Sequence, residues 1–148
     1  MRGLADTGFL VAYANRRDVY FPWAYALAEH IHEPLLTCES VLAETAYHLR
    51  NSGLVLRLIE TGLVRVAFDI ENHRRELAAL AQRYADRQPD LADLCLIRMS
   101  ELNPQLPVIT VDGDFRIYRR NRRETIPVIM PPEPRRSDPS NGEPTRQA

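Results

Sequence analysis

Four carboxylates stand where carboxylates rarely belong. Asp6 closes a short extended run at residues 2–5, and Asp112 closes an apolar, β-branched run at residues 107–111. Asp93 interrupts Leu91-Ala92-Asp93-Leu94-Cys95-Leu96-Ile97, and Glu44 interrupts Val41-Leu42-Ala43-Glu44-Thr45-Ala46. Asp and Glu are almost never fully buried unless paired. Gathered in one cleft, they raise one another's pKa and destabilise the fold unless a cation neutralises them. No basic residue matches the four, so the pattern points to a hard divalent cation, Mg²⁺ or Mn²⁺, held by carboxylate oxygens and water. Such a site activates water and stabilises an in-line displacement at phosphorus.

Each acid also has a plainer use. Asp90, after Pro89, suits a helix N-cap, and Asp93 three residues on suits either a capping-box-like start or a metal ligand. Asp114 before Phe115 suits a cap, with a role supporting the other acids as the alternative. Asp6 and Asp112 could each close a turn. The joint pattern is what favours a site.

The remaining reactive residues narrow the chemistry. All 19 basic residues are arginine. Without lysine there is no P-loop nucleotide site, Schiff base or Ser-Lys dyad. Arg116, Arg119, Arg120, Arg122 and Arg123 fall within eight residues that contain no acid. Placed just after Asp112 and Asp114, they could hold RNA phosphates bidentately or form a solvated helix face. Arg16 and Arg17 make a smaller candidate of the same kind. His30, His32, His48 and His73 show no metal-ligand spacing, and Cys38 and Cys95 read as small buried residues.

Positioning these groups requires a definite scaffold. Short strands are expected at residues 2–5, 34–37, 64–68, 107–111 and 126–130. Helices are expected after Pro22, from an N-cap at Ser40, over 54–61 before Gly62, over 71–87, and after Pro89. A short helix carries Phe115, Ile117 and Tyr118. Strands alternating with helices predict an α/β fold, a three-layer α/β/α sandwich around a mainly parallel, roughly five-stranded sheet. With 148 residues the chain fits one domain, assigned to residues 1–130. Residues 131–148 hold five of the 11 prolines and no large apolar residue, so a disordered tail is expected. Residues 8–14, the best apolar run, are far short of a membrane span, and Asp6 interrupts any signal peptide; a cytoplasmic protein is expected. A net charge of −1 speaks against a globally basic nucleic-acid binder but leaves room for a local patch.

The order Leu4-Ala5-Asp6-Thr7-Gly8-Phe9-Leu10, Val41-Leu42-Ala43-Glu44, Asp90-Leu91-Ala92-Asp93 and Thr110-Val111-Asp112-Gly113-Asp114-Phe115 resembles the PIN domain family, and more narrowly the VapC-type toxin ribonucleases. The resemblance covers residues 1–130. It implies that Asp6 and Asp93 hold the metal directly, while Glu44 and Asp112 complete the acidic quartet and Thr7 and Thr110 support it. It also implies metal-dependent hydrolysis of RNA, a homodimer and an inhibitory antitoxin protein. An acidic cleft beside exposed apolar surface suits an antitoxin segment that inserts an arginine and lays down a helix. Many relatives carry a His pair where this chain has Tyr20 and Phe21. Two other readings stand beside this one. A non-catalytic module of the same fold, binding RNA or a partner, would bind no metal. A haloacid-dehalogenase-type phosphatase, suggested by Asp112-Gly113-Asp114, would need its motif near the N-terminus and a lysine.

Overall fold

β-Branched and leucine-rich segments too short to stand alone must pair, and here five of them do. A computed structural model describes residues 1–133. Strands β1 (Leu4–Ala5), β2 (Leu35–Thr37), β3 (Val64–Val66) and β4 (Val108–Ile109) join the last strand of the described residues, β7 (Val128–Ile129), in one sheet. The order is β3-β2-β1-β4-β7 and every pairing is parallel, with Leu4 beside both Leu36 and Val108. Six helices flank it: α1 (Thr7–Ala14), α2 (Phe21–Ala28), α3 (Glu39–Leu49), α4 (Ser52–Glu60), α5 (Arg74–Arg83) and α6 (Leu91–Leu102). This is the expected α/β/α arrangement. The chain leaves β1 toward β2 on one side and reaches β4 on the other. That makes the carboxyl ends of β1 and β4 the switch point at which open parallel sheets bind ligands.

The core explains why α1 and α6 lack a polar stripe. Phe9, Leu10 and Ala12 of α1 are fully buried, and α6 buries Ala92 through Ile97 together with Met99 and Ser100. A helix apolar on all sides belongs inside. Phe9 meets Trp23 edge-to-face at 5.9 Å, locking α1 to α2. Gly8 sits where α1 crosses β4, and a Cβ there would overlap the Val111 side chain. Gly8→Ala is therefore expected to cost about 1–3 kcal/mol through overpacking, read as a lowered midpoint in urea. An unchanged midpoint would mean that Val111 moves aside freely.

Several local expectations are corrected. Helix α3 starts at Glu39 with Cys38 at its N-cap and no side-chain cap, so Ser40 lies inside the first turn. The expected helix over residues 71–87 is three pieces, with 3-10 turns at Glu71–His73 and Ala85–Arg87 on either side of α5. Gly62 does follow α4, in the left-handed conformation (φ 81°), one residue beyond the Thr61 cap. The arginine-rich segment is not a helix face. It forms an antiparallel hairpin of β5 (Arg119–Arg120) and β6 (Glu124–Thr125), whose turn places Asn121 and Arg122 at positive φ. Of the expected tail at 131–148, all but the first three residues lie outside the described part. Among the described residues no helix is long and apolar enough to cross a membrane.

Candidate active site

Asp6 leaves β1 and becomes the N-cap of α1: its Oδ1 accepts the Thr7 backbone N–H at 2.7 Å. Its Oδ2 accepts the Thr110 hydroxyl at 2.6 Å, and the same hydroxyl accepts the Asp112 backbone N–H at 2.9 Å. One buried threonine therefore ties the ends of β1 and β4 together. The Thr7 hydroxyl donates to Oε2 of Glu44 at 2.7 Å, which brings the middle of α3 to the same place. Asp90 caps α6 by accepting the Asp93 N–H at 2.8 Å. The Asp93 side chain itself is buried, and the Tyr118 hydroxyl makes a long hydrogen bond to its Oδ2 (3.4 Å).

Asp6, Thr7, Glu44, Asp90, Asp93 and Asp112 line one pocket of about 380 Å³. Asp18, Val19 and Tyr20 from the α1–α2 connection and His48 from α3 complete it. Thr110 lies directly behind it. Asp114 does not line it: its backbone N–H donates to Oδ1 of Asp112, so Asp112 is the cap of that turn and the expected cap role of Asp114 is corrected. Asp18, Tyr20 and His48 were missed as site residues. His48 lies four residues after Glu44, one helical turn along the same face, and that spacing was the available signal. Asp18 and Tyr20 sit in a connection where no periodicity exists to read.

The electrostatics show an uncompensated cluster. Burial pushes Asp6 up to about 6, opposed by its bonds from Thr110 and Thr7 and reinforced by the charges of Asp112 and Glu44. Asp93 is pushed up to about 8, first by burial and then by Asp90, Asp6, Asp112 and Glu44. Glu44 is raised by burial as well, against the pull of the Thr7 hydroxyl. None of these acids is in an ion pair: those of the described residues join Arg2 to Glu33, Arg98 to Glu76 and Glu101, and Arg120 to Glu124. Among the described residues no group of three or more His, Cys, Asp or Glu side chains is drawn together closely enough to hold a metal ion. The carboxylates instead line an open pocket, which suits an ion that keeps part of its water shell. The carboxylates of this pocket, Asp6 and Asp93 buried and Glu44 and Asp112 half-buried, have no ion-pair partner and offer the oxygen donors that a hard divalent cation takes.

The arginines divide differently from the expected basic stripe. Arg120 is buried, with Nη1 on the carbonyl and hydroxyl oxygens of Ser100 (3.0 and 3.1 Å) and Nη2 on Glu124 (2.9 Å). It fastens the hairpin to α6 and is not available to a phosphate. Arg119 turns its Nη1 onto the carbonyls of Arg116, Ile117 and Tyr118 and holds its own loop closed. Only Arg116 of the three presents an exposed side chain.

Residues 4–121 match the PIN domain family, and the chain belongs to it. PIN domains are generally nucleases, typically dependent on divalent metal. No curated protein matches the chain.

Proposed function

We propose that the protein is a Mg²⁺-dependent endoribonuclease that hydrolyses RNA phosphodiester bonds, and that it serves as the toxin of a toxin–antitoxin pair. The observation that carries the nuclease reading is a cluster of acids without ion-pair partners, Asp6 and Asp93 buried among them, at the switch point of a PIN fold. Asp6 and Asp93 would hold the metal, and Glu44 and Asp112 would complete the negative wall around it. When bound, Mg²⁺ or Mn²⁺ supplies an activated water and offsets the charge that develops on the phosphate. The chain's own part is positioning. The Thr110 hydroxyl fixes Asp6 and the backbone at Asp112 in one arrangement, and Thr7 fixes Glu44. Asp90 sets the start of α6 and with it the direction of Asp93. Burial, reinforced by the neighbouring acids, holds a proton on Asp93 near neutral pH.

An antitoxin partner is supported by a second depression of about 380 Å³, lined by Tyr13, Phe21, Tyr25, Leu54 and Leu58 with Arg16 and Arg57 among them. Leu56 and Ile59 of α4 are exposed too. Apolar surface of this kind marks a protein interface, and a homodimer draws on the same reasoning. The decisive test is cleavage of a mixed-sequence single-stranded RNA with Mg²⁺, with Mn²⁺ and after chelation. Cleavage is expected with either metal and lost on chelation. A chain that binds RNA but neither metal, and cuts nothing, would be the non-catalytic module.

A further inference from the structure

Beside the acid pocket lies a second, larger groove of about 660 Å³, lined by Ala43, Ala46, Tyr47, His48, Arg50, Asn51 and Ser52. His48 lines both, so the two adjoin at α3. Tyr47 is 81% exposed, an unusual position for a large ring. Its orientation is set by edge-to-face contact with His48, with centroids 5.6 Å apart and planes at 73°. Arg50 ends the helix in the left-handed conformation (φ 52°), with its backbone N–H returned to the carbonyls of Ala46 and Tyr47. Its side chain is exposed, and none of the ion pairs among the described residues involves it.

We infer that this groove is a nucleotide-binding ledge for single-stranded RNA, with the Tyr47 ring stacking on a base next to the cleaved bond and Arg50 gripping the following phosphate. The inference rests on the nuclease reading and extends it along the strand. A flat aromatic face beside a guanidinium is the pairing that single-stranded nucleic acid uses, because every base has a π-face and every linkage a charge. The lining favours RNA over a protein helix. Apart from the Tyr47 ring it offers only two alanine side chains to an apolar partner, and the remainder is imidazole, guanidinium, amide and hydroxyl. An arginine beside the acid pocket also offsets the repulsion that the carboxylates exert on an incoming phosphate.

The test uses the full chain and one single-stranded RNA carrying 4-thiouridine at successive positions, read by photocrosslinking and by steady-state cleavage. Crosslinks are expected on Tyr47 or the adjacent residues of α3, from a position within a nucleotide or two of the cut. Tyr47→Ala is expected to raise KM about 5- to 50-fold, as loss of one stacked base implies, with a much smaller change in kcat. Tyr47→Trp should restore KM, an outcome that a purely structural role would not give. Arg50→Ala should raise KM further and flatten its salt dependence. Crosslinking at Tyr47 without cleavage under any metal would uphold the ledge and sink the nuclease reading. Cleavage with no crosslink near Tyr47 and an unchanged KM in Tyr47→Ala would overturn the ledge, leaving the groove to a protein partner.

Discussion

Asp93→Asn is expected to lower metal-dependent RNA cleavage by on the order of 100- to 1000-fold, equivalent to about 3–4 kcal/mol of transition-state stabilisation. The same change is expected to make the metal-free protein more stable at alkaline pH. Both effects come from one side chain, buried and pushed up to about 8 by that burial and by four neighbouring acids. In the unfolded chain an aspartate titrates near its ordinary value of 3.8. Between these two values the folded protein keeps a proton that the unfolded chain has released. Folding stability therefore falls as pH rises across that interval, and the loss is complete above about 8. Asparagine carries no such proton. Its backbone N–H still reaches Asp90, so the start of α6 survives the change. Thermal melts in chelator at pH 4 and pH 8.5 should thus nearly coincide at the lower pH and separate at the higher, with the variant melting later. Added Mg²⁺ should narrow or reverse the gap. A variant that cuts RNA at the wild-type rate would remove Asp93 from the site.

The second large effect is on metal affinity. A ligand must give up its proton before it can hold a cation. An acid that titrates at about 8 is about 1% ionised at pH 6 and about half ionised at pH 8. Asp6, at about 6, passes from about half to fully ionised over the same range. Apparent Mg²⁺ affinity is therefore expected to rise on the order of 50- to 100-fold from pH 6 to pH 8, with proton release on binding. Calorimetry in two buffers of different ionisation enthalpy reads both quantities. Affinity that stays flat across this range would mean that the cation is held by other groups.

The sheet was legible because each strand is a β-branched or leucine-rich run cut off by Pro, Gly or a charge: Pro34 before Leu35, Gly62 before Val64, Pro107 before Val108. Glu44 and Asp93 were legible for the opposite reason, as polar intrusions into runs that had to be buried, and Asp6 and Asp112 as acids closing strands. What stayed hidden depended on neighbours distant in sequence. The hairpin at residues 119–125 lacks the glycine that ordinarily marks a tight turn, and Asn121 and Arg122 adopt positive φ without it. Nothing local to Arg120 announces that Ser100, 20 residues away, will accept two of its hydrogen bonds. The apolar repeat from Leu77 to Tyr84 marks the helix within Glu71 to Arg87, but periodicity does not register the tightened turns at its two ends or the left-handed Gln88 (φ 47°) that closes the second. Tyr20 and Asp18 reach the pocket through the path of a connection, and that path follows from packing.

The bond from Thr110 to Asp6 spans 104 positions of the chain. A ribosome that has made only the first two-thirds of this protein has made Asp6 but not the threonine that clasps it, and a clipped product missing the stretch around Thr110 cannot close the clasp. Catalytic competence, on the reading proposed above, thus arrives late and all at once in biosynthesis. A nuclease built this way would leave the message that encodes it intact until nearly the whole domain has been released.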